Sequence, residues 1–154
     1  MSSTSNFEVR PATLHDAKAI ARIHGHSTAA YWHEAIEFSE PQVYAALDAG
    51  EIVGFVGFDR SRDKGTPPTT GDIWAIHVAR SHLGRGVGLA LWDAARDGLL
   101  EEGCHKVTLW LPLASERALR FHELAGFKRD MSSIRIVLQG TAKIEEIRLQ
   151  RALV

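Results

Sequence analysis

The residues Ile73-Trp74-Ala75-Ile76-His77-Val78-Ala79-Arg80-Ser81-His82-Leu83-Gly84-Arg85-Gly86-Val87-Gly88-Leu89-Ala90-Leu91 run from an apolar, β-rich segment through a glycine cluster into an amphipathic helix. The helix is predicted from Val87, Ala90, Leu91, Ala94, Ala95, Gly98 and Leu99, which follow the i, i+3, i+4, i+7, i+8, i+11, i+12 spacing of one helical face, with Gly103 as its natural stop. The strand before it is predicted over Asp72 to Val78. Three alternate glycines, Gly84, Gly86 and Gly88, cost about 1 kcal/mol of helix propensity each wherever they are helical. Without Cβ atoms they let a ligand approach the backbone closely. The N–H groups of the first helical turn, with the helix dipole, then form an anion site suited to a pyrophosphate. The plainer alternative is a tight strand-to-helix turn whose glycines serve packing alone.

Two other phosphate-binding arrangements fit less well. A P-loop needs Lys followed by Ser or Thr after its last Gly to reach terminal phosphates and Mg²⁺, and this chain has Leu89-Ala90 there. A dinucleotide fold wants G-x-G-x-x-G directly after the strand and an acidic residue ending the next strand. Here five residues separate Val78 from Gly84, and the next strand ends in Leu111-Pro112.

Working outward, Phe7 and Val9 alternate in a short strand ended at Pro11, and Thr13 is the candidate N-cap of a helix through Leu14, Ala17, Ile20, Ala21, Ile23 and His24 that fades at Gly25. Ser27 to Pro41, aromatic and acidic without clean periodicity, reads as a loop or short helix suited to lining a pocket. Val43 to Leu47 and Glu51 to Phe58 flank Asp48-Ala49-Gly50 as a β-hairpin. Val53 and Phe55 load one face of its second strand and Ile52, Val56 and Phe58 the other, as expected of a strand covered on both sides. Arg60 to Gly71, with Pro67-Pro68, is a surface loop. Beyond the central helix, Lys106 to Leu111 is a strand closed by Pro112, Ser115 to Ala125 a short helix capped by Gly126, and Ser133 to Leu138 and Glu146 to Arg151 two strands joined by a turn containing Gly140. This order predicts a mixed α/β (α+β) fold. Its mostly antiparallel sheet carries a βαβ unit, with helices on both faces. At 154 residues, one domain over residues 3–154 is expected.

Composition excludes several classes. Lys plus Arg number 18 against 19 Asp plus Glu, for a net charge of −1, so no global basic field draws the chain to nucleic acid or an anionic membrane. Apolar runs such as Ile52 to Phe58 are far shorter than the ~20 residues that span a bilayer. Met1 to Phe7 lacks an export-signal pattern, and the single Cys104 fits a reducing cytosol, so a cytoplasmic location is expected.

Two motifs together resemble the GNAT N-acetyltransferase superfamily. Leu83-Gly84-Arg85-Gly86-Val87-Gly88 stands in place of its acyl-CoA-binding Arg/Gln-x-x-Gly-x-Gly/Ala, with Leu83 departing from the usual Arg or Gln. Ser115-Glu116-Arg117-Ala118-Leu119-Arg120-Phe121-His122-Glu123-Leu124-Ala125-Gly126-Phe127 stands in place of Asn-x-x-Ala-x-x-Phe-Tyr-x-x-x-Gly-Phe, with Ser115 for Asn and His122 for Tyr. The resemblance follows the element order over residues 7 to 152, and its specific part covers 72 to 127. It implies a GNAT-like sheet of about seven strands, splayed between the Asp72 to Val78 and Lys106 to Leu111 strands at an acyl-CoA cleft, with acetyl-CoA as cosubstrate. The backbone of Ile76, His77 and Val78 would pair with the pantetheine, Leu83, Gly84, Arg85, Gly86, Val87, Gly88 and Leu89 would surround the pyrophosphate, and Ser115 and His122 would face the cofactor. A homodimer is left open by the resemblance.

Moving an acetyl group to an amine requires the amine neutral, the thioester carbonyl polarised, the reactants adjacent and the leaving thiolate protonated. Asp72, Glu34 and Glu37 are the carboxylate candidates for taking the amine proton, and His33 and His77 the imidazole ones. Resemblance assigns His122 the general-acid position. An imidazolium with an ordinary pKa near 6.5 is largely deprotonated at pH 7, so His122 acts there only with a raised pKa or as a neutral donor to the sulfur. Trp32, His33, Glu37 and Trp74 are the expected acceptor-binding residues, and Glu34 with Glu37 leans toward a cationic amine. Ser3 and Ser5 lack a nucleophile-elbow context, Cys104 reads as a buried thiol, and His24 and His26, two apart, fall on different helix faces, so neither a covalent intermediate nor a metal is expected. The expected activity is direct acetyl transfer to a small primary amine. The main rival is a non-catalytic acyl-CoA sensor or partner-binding module on the same fold, and a toxin acting on aminoacyl-tRNA is disfavoured by the charge balance.

Overall fold

A computed structural model of the chain describes residues 7–154; residues 3–6 of the expected domain, with Ser3 and Ser5, lie outside the described residues. The described elements follow the order read from the sequence: β1 (Glu8–Pro11), α1 (Ala17–His24), α2 (Ala29–Phe38), β2 (Gln42–Asp48), β3 (Glu51–Arg60), β4 (Thr70–Val78), α3 (Val87–Glu101), β5 (Lys106–Pro112), α4 (Glu116–Leu124), β6 (Lys128–Gln139) and β7 (Ala142–Ala152). The strands hydrogen-bond in the order β1-β2-β3-β4-β5-β7-β6. The pairs β1–β2, β2–β3, β5–β7 and β6–β7 are antiparallel, and β4 runs parallel to β5 through Thr70↔Lys106, Gly71↔Val107 and Asp72↔Thr108. This is the expected mixed, mostly antiparallel sheet of seven strands. The described residues group into two compact units, one of residues 7–59 with Ile73–Glu102 and one of Arg60–Asp72 with Gly103–Val154. Among the described residues no helix is long and apolar enough to cross a membrane.

In the first unit, β3 is covered on both faces as its side-chain pattern requires. Phe55 packs with Ile20 of α1 and with Trp32 and Ala35 of α2. On the opposite face, a Cβ at Gly98 of α3 would stand 2.7 Å from the Phe58 ring, and one at Gly54 would stand 3.0 Å from Val87 and Leu91. Helix and strand thus meet at separations that a side chain would prevent. The hairpin turn has two residues rather than three: Asp48 pairs with Glu51, and Ala49 and Gly50 both have positive φ (51° and 84°), the backbone a tight right-twisted hairpin demands.

The segment Ser27 to Pro41 resolves as helix, not loop. Thr28 caps it by accepting the Tyr31 N–H at 3.1 Å, Trp32 and Ala35 are its buried positions, and Ser39, at φ 52°, ends it. The helix predicted from Thr13 begins instead as a 3-10 turn over Leu14–Asp16 before α1, and α1 stops at Gly25, whose φ is 82°. In the second unit the buried apolar side chains include Val107, Leu109, Leu119, Phe127, Ile147 and Leu149, and both terminal strands run longer than predicted.

Candidate active site

After β4 the chain makes a 3-10 turn over Arg80–His82 and enters the glycine loop. Gly84 (φ 74°) and Gly86 (φ 87°) occupy the left-handed region, and a Cβ on Gly84 would meet nothing within 4 Å. That is open backbone rather than close packing, the reverse of Gly98. Gly86 is the N-cap of α3, and its carbonyl accepts the Ala90 N–H at 3.1 Å. Helical geometry therefore directs the N–H groups of Val87, Gly88 and Leu89 out of the end of the helix, where the dipole is positive. Leu83 and Leu89 are exposed, as is the Arg85 guanidinium. The loop is braced by Asp48 at the hairpin end, whose Oδ2 lies 2.8 Å from His82 Nε2 and 3.9 Å from Arg85 Nη2, while Ser81 Oγ lies 2.7 Å from His82 Nδ1. Neither Asp48 nor His82 is singled out by any motif; the fold brings them together across 34 residues of chain. A hollow of about 620 Å³ at the end of β4 is lined by Val78, Ala79, Arg80 and Ser81 with Arg22 and Glu51.

Beside α1 and α2 lies a second cavity of about 360 Å³, lined by His24, His26, Ser27, Thr28, Tyr31, Trp32, Trp74 and Ala75. Trp32 is 2% exposed: most of its ring is core, edge-on to Phe55 at 5.0 Å, and its remaining edge faces the cavity. Its indole N–H donates to Ser27 Oγ at 2.6 Å, and the same oxygen lies 2.7 Å from His24 Nδ1. His24 and His26 do not diverge as their spacing predicts. The helix ends at Gly25, and the reversed backbone there brings the two rings to 5.9 Å. His77 joins them, 5.0 Å from His24 and stacked on Phe55 at 5.6 Å. Burial, with the neighbouring His26, lowers the pKa of His24, and burial with His24 and His26 lowers that of His77 to about 4. Despite this clustering, no group of three or more His, Cys, Asp or Glu among the described residues is placed to hold a metal. His33, Glu34 and Glu37 lie on the exposed side of α2, and Glu34 lines only a shallow hollow with Tyr31, Ala35, Phe38 and Glu40. Trp32 and Trp74 line the cavity, and His33, Glu34 and Glu37 do not.

In the second unit, burial pushes the Asp72 carboxyl up to about 7, and the negative Asp63 adds to the rise. Thr108, whose Oγ1 donates toward Asp72 Oδ1 at 3.4 Å, with Arg135 and Arg62, opposes it only in part. A half-buried carboxyl that changes charge near neutrality is suited to taking and returning protons.

On α4, Ser115 holds the N-cap position without a side-chain capping bond. His122 is buried, edge-on to Phe121 and Phe127, with Nδ1 2.8 Å from the Ala118 carbonyl. A carbonyl only accepts, so Nδ1 carries the proton and Nε2 of the neutral ring is an acceptor. Burial also lowers the His122 pKa. As placed, His122 shows neither a raised pKa nor an Nε2 proton directed to a leaving sulfur. Cys104 is buried, as expected.

Among known proteins, the mycothiol acetyltransferase of Propionibacterium freudenreichii subsp. shermanii is 34% identical over 80 residues, which are 52% of this chain and 25% of that protein. The chain thus spans about a quarter of the length of that curated relative. Ard1 from Thermoplasma volcanium superposes with a TM-score of 0.81 at 19% identity, covering 97% of this chain and 99% of that one. The Salmonella typhimurium protein yncA, whose structure holds its cofactor acetyl-CoA, also gives 0.81, at 20% identity over 97% of this chain and 95% of that one. The model of the acetyltransferase (GNAT) family matches residues 11–127, across both the glycine loop and α4, and the chain belongs to that family.

Proposed function

We propose that this chain is an N-acetyltransferase, a single domain over residues 3–154, that moves the acetyl group of acetyl-CoA to a primary amine of a small molecule or peptide by direct transfer. The observation that carries the reading is the open glycine loop: Gly84 and Gly86 turn left-handed backbone toward solvent immediately before the α3 N–H groups. This fits a diphosphate, held by the amides of Gly84 to Leu89 with Arg85 contributing charge, and the backbone of Ile76 to Val78 is left to align the arm that follows. Bound acetyl-CoA supplies an acetyl thioester. Asp72 takes the amine proton, because its carboxyl titrates near neutrality; as the amide C–N bond forms the thioester C–S bond breaks, and coenzyme A leaves as a thiolate that takes a proton from solvent. His77, with a pKa near 4, is too weak a base, and Glu34 stands exposed on α2. Ser115, whose hydroxyl is not used in capping, is free to contact the cofactor arm.

Calorimetric titration with acetyl-CoA, followed by thiol release with a panel of amines, tests this reading. Wild-type protein is expected to bind, and Gly86→Val to lose at least a hundredfold in affinity, because a β-branched residue does not tolerate φ near 87°. Wild-type affinity in Gly86→Val would overturn the loop assignment. The second reading, an acyl-CoA-binding module without turnover, is favoured by the state of His122; binding with no thiol release on any amine would establish it instead.

A further inference from the structure

The cavity beside α1 and α2 narrows the acceptor that the proposed transferase takes. Three aromatic side chains, Tyr31, Trp32 and Trp74, contribute to its wall, and among the described residues no Asp, Glu, Lys or Arg does. A charged group placed there would lose its water without gaining an ion-pair partner. Aromatic walls alone can hold a cation through their faces, but burial in this site disfavours positive charge: it lowers the pKa of the site's own His24 and of His77 packed against it. What remains is an apolar, aromatic-lined space with hydroxyl and neutral imidazole hydrogen-bonding groups at its rim. Its aromatic wall is fixed in place, since the Trp32 N–H is tied to Ser27 and the Trp32 ring meets Tyr31 edge-on at 5.0 Å. An apolar cavity of about 150 Å³ accepts a benzene ring. A volume of about 360 Å³ accommodates a bicyclic aromatic group with a short linker.

Resting on the acetyltransferase reading, we propose that the acceptor is an arylalkylamine whose uncharged aromatic ring seats in this cavity against Tyr31, Trp32 and Trp74, with the amine left outside it. Along the chain, Trp74 and Ala75 on the cavity wall directly precede Ile76 to Val78 on the same strand, the stretch proposed to align the cofactor arm, so a ring held at Trp74 requires only a short linker to its amine. The acidic residues that lean toward a cationic acceptor, Glu34 and Glu37, have no part in this wall.

Two measurements test the proposal. In the first, kcat/KM for thiol release is compared among tryptamine, phenethylamine, n-butylamine and spermidine; in the second, calorimetry follows phenethylamine and n-butylamine binding to the protein without acetyl-CoA. Tryptamine is expected to exceed n-butylamine and spermidine at least tenfold in kcat/KM, and phenethylamine to bind more tightly than n-butylamine. Trp74→Ala, and independently the more exposed Tyr31→Ala, should bring the aryl-to-alkyl ratio down toward one. Equal or better turnover of n-butylamine or spermidine would overturn the aromatic acceptor while leaving acetyl transfer standing, and an undiminished ratio in both variants would do the same. Thiol release with none of the amines would instead sink the transferase reading. The calorimetric comparison still decides the cavity in that case: tighter aryl binding that both variants abolish supports it, and no aryl preference refutes it.

Discussion

Asp16 and Asp72 are both aspartates largely withdrawn from water, and their proton affinities move in opposite directions. Burial raises the pKa of each. Around Asp16, however, the Arg10 guanidinium at 2.7 Å and the Thr13 N–H at 2.7 Å outweigh that cost and carry its pKa below the ordinary value. Around Asp72 the hydroxyl of Thr108 stands at 3.4 Å and is shared with the Gly71 carbonyl at the same distance, while Asp63 repels. Asp16 therefore favours its charged form and fastens β1 to the 3-10 turn before α1. Asp72 is left near pH 7 with its charge undecided. Burial identifies neither role; the donors supplied around the carboxylate do.

The sharpest way to break the contrast is to remove each carboxylate's charge. Asp72→Asn is expected to lower kcat at least a hundredfold, the usual contribution of a positioned base being ~10²–10⁴. In wild type kcat/KM should rise with pH through a limb near 7, and in the variant that limb should vanish. The stability change has the opposite sign. With a folded pKa above the unfolded one, the native state holds the extra proton between about pH 4 and 7, so wild-type stability falls as pH rises through that window. Asp72→Asn escapes this cost and should require more urea to unfold than wild type at pH 8. A variant that is both slow and less stable at pH 8 would mean Asp72 is a structural carboxylate.

Asp16→Asn should show the reverse, losing about 2 kcal/mol of stability in urea unfolding at pH 7 while the folded fraction retains its turnover. Arg10 is 30% exposed, so solvent screening keeps the loss below that of a fully buried pair. Because the folded pKa of Asp16 is lowered, its stabilisation is complete above the ordinary carboxylate pKa of about 4 and is lost as pH falls below it. Wild type and variant should therefore converge in stability on acidification. Parallel curves down to pH 2 would show that the pair contributes through shape and not charge.

How much of this was legible in the sequence follows how local each signal is. The α3 face from Val87 to Leu99, the two-sided loading of β3 and the hairpin ending at Gly50 all rest on neighbours a few residues apart, and all appear where the spacing put them. Helix α2 buries only Trp32 and Ala35, too few positions to establish a period. The histidine group was hidden because it depends on the backbone reversal at Gly25 and on His77 arriving from β4. The turn of the glycine loop into α3 was legible, whereas its brace through Asp48 and His82 is a contact 34 residues long. The state of Asp72 depends on Asp63, Thr108, Arg135 and Arg62, drawn from separate segments, so its position was readable and its proton affinity was not.

The smallest expected effect isolates one of those remote contributions. Asp63 raises the Asp72 pKa by charge alone, and Asp63→Asn keeps an oxygen to accept the Trp110 indole N–H, now at 3.0 Å, while losing the negative charge. The pH limb of kcat/KM should then move to lower pH. The shift should be less than about one unit, because Arg148 at 3.8 Å already offsets part of the Asp63 charge. Thr108→Val removes the only hydroxyl that favours the Asp72 anion in this set and should move the limb the other way. Opposite shifts in the two variants would tie the kinetic limb to Asp72 itself. A limb that stays fixed in both would assign it to another group, and Asp72 would then belong with Asp16 as a carboxylate held for the fold.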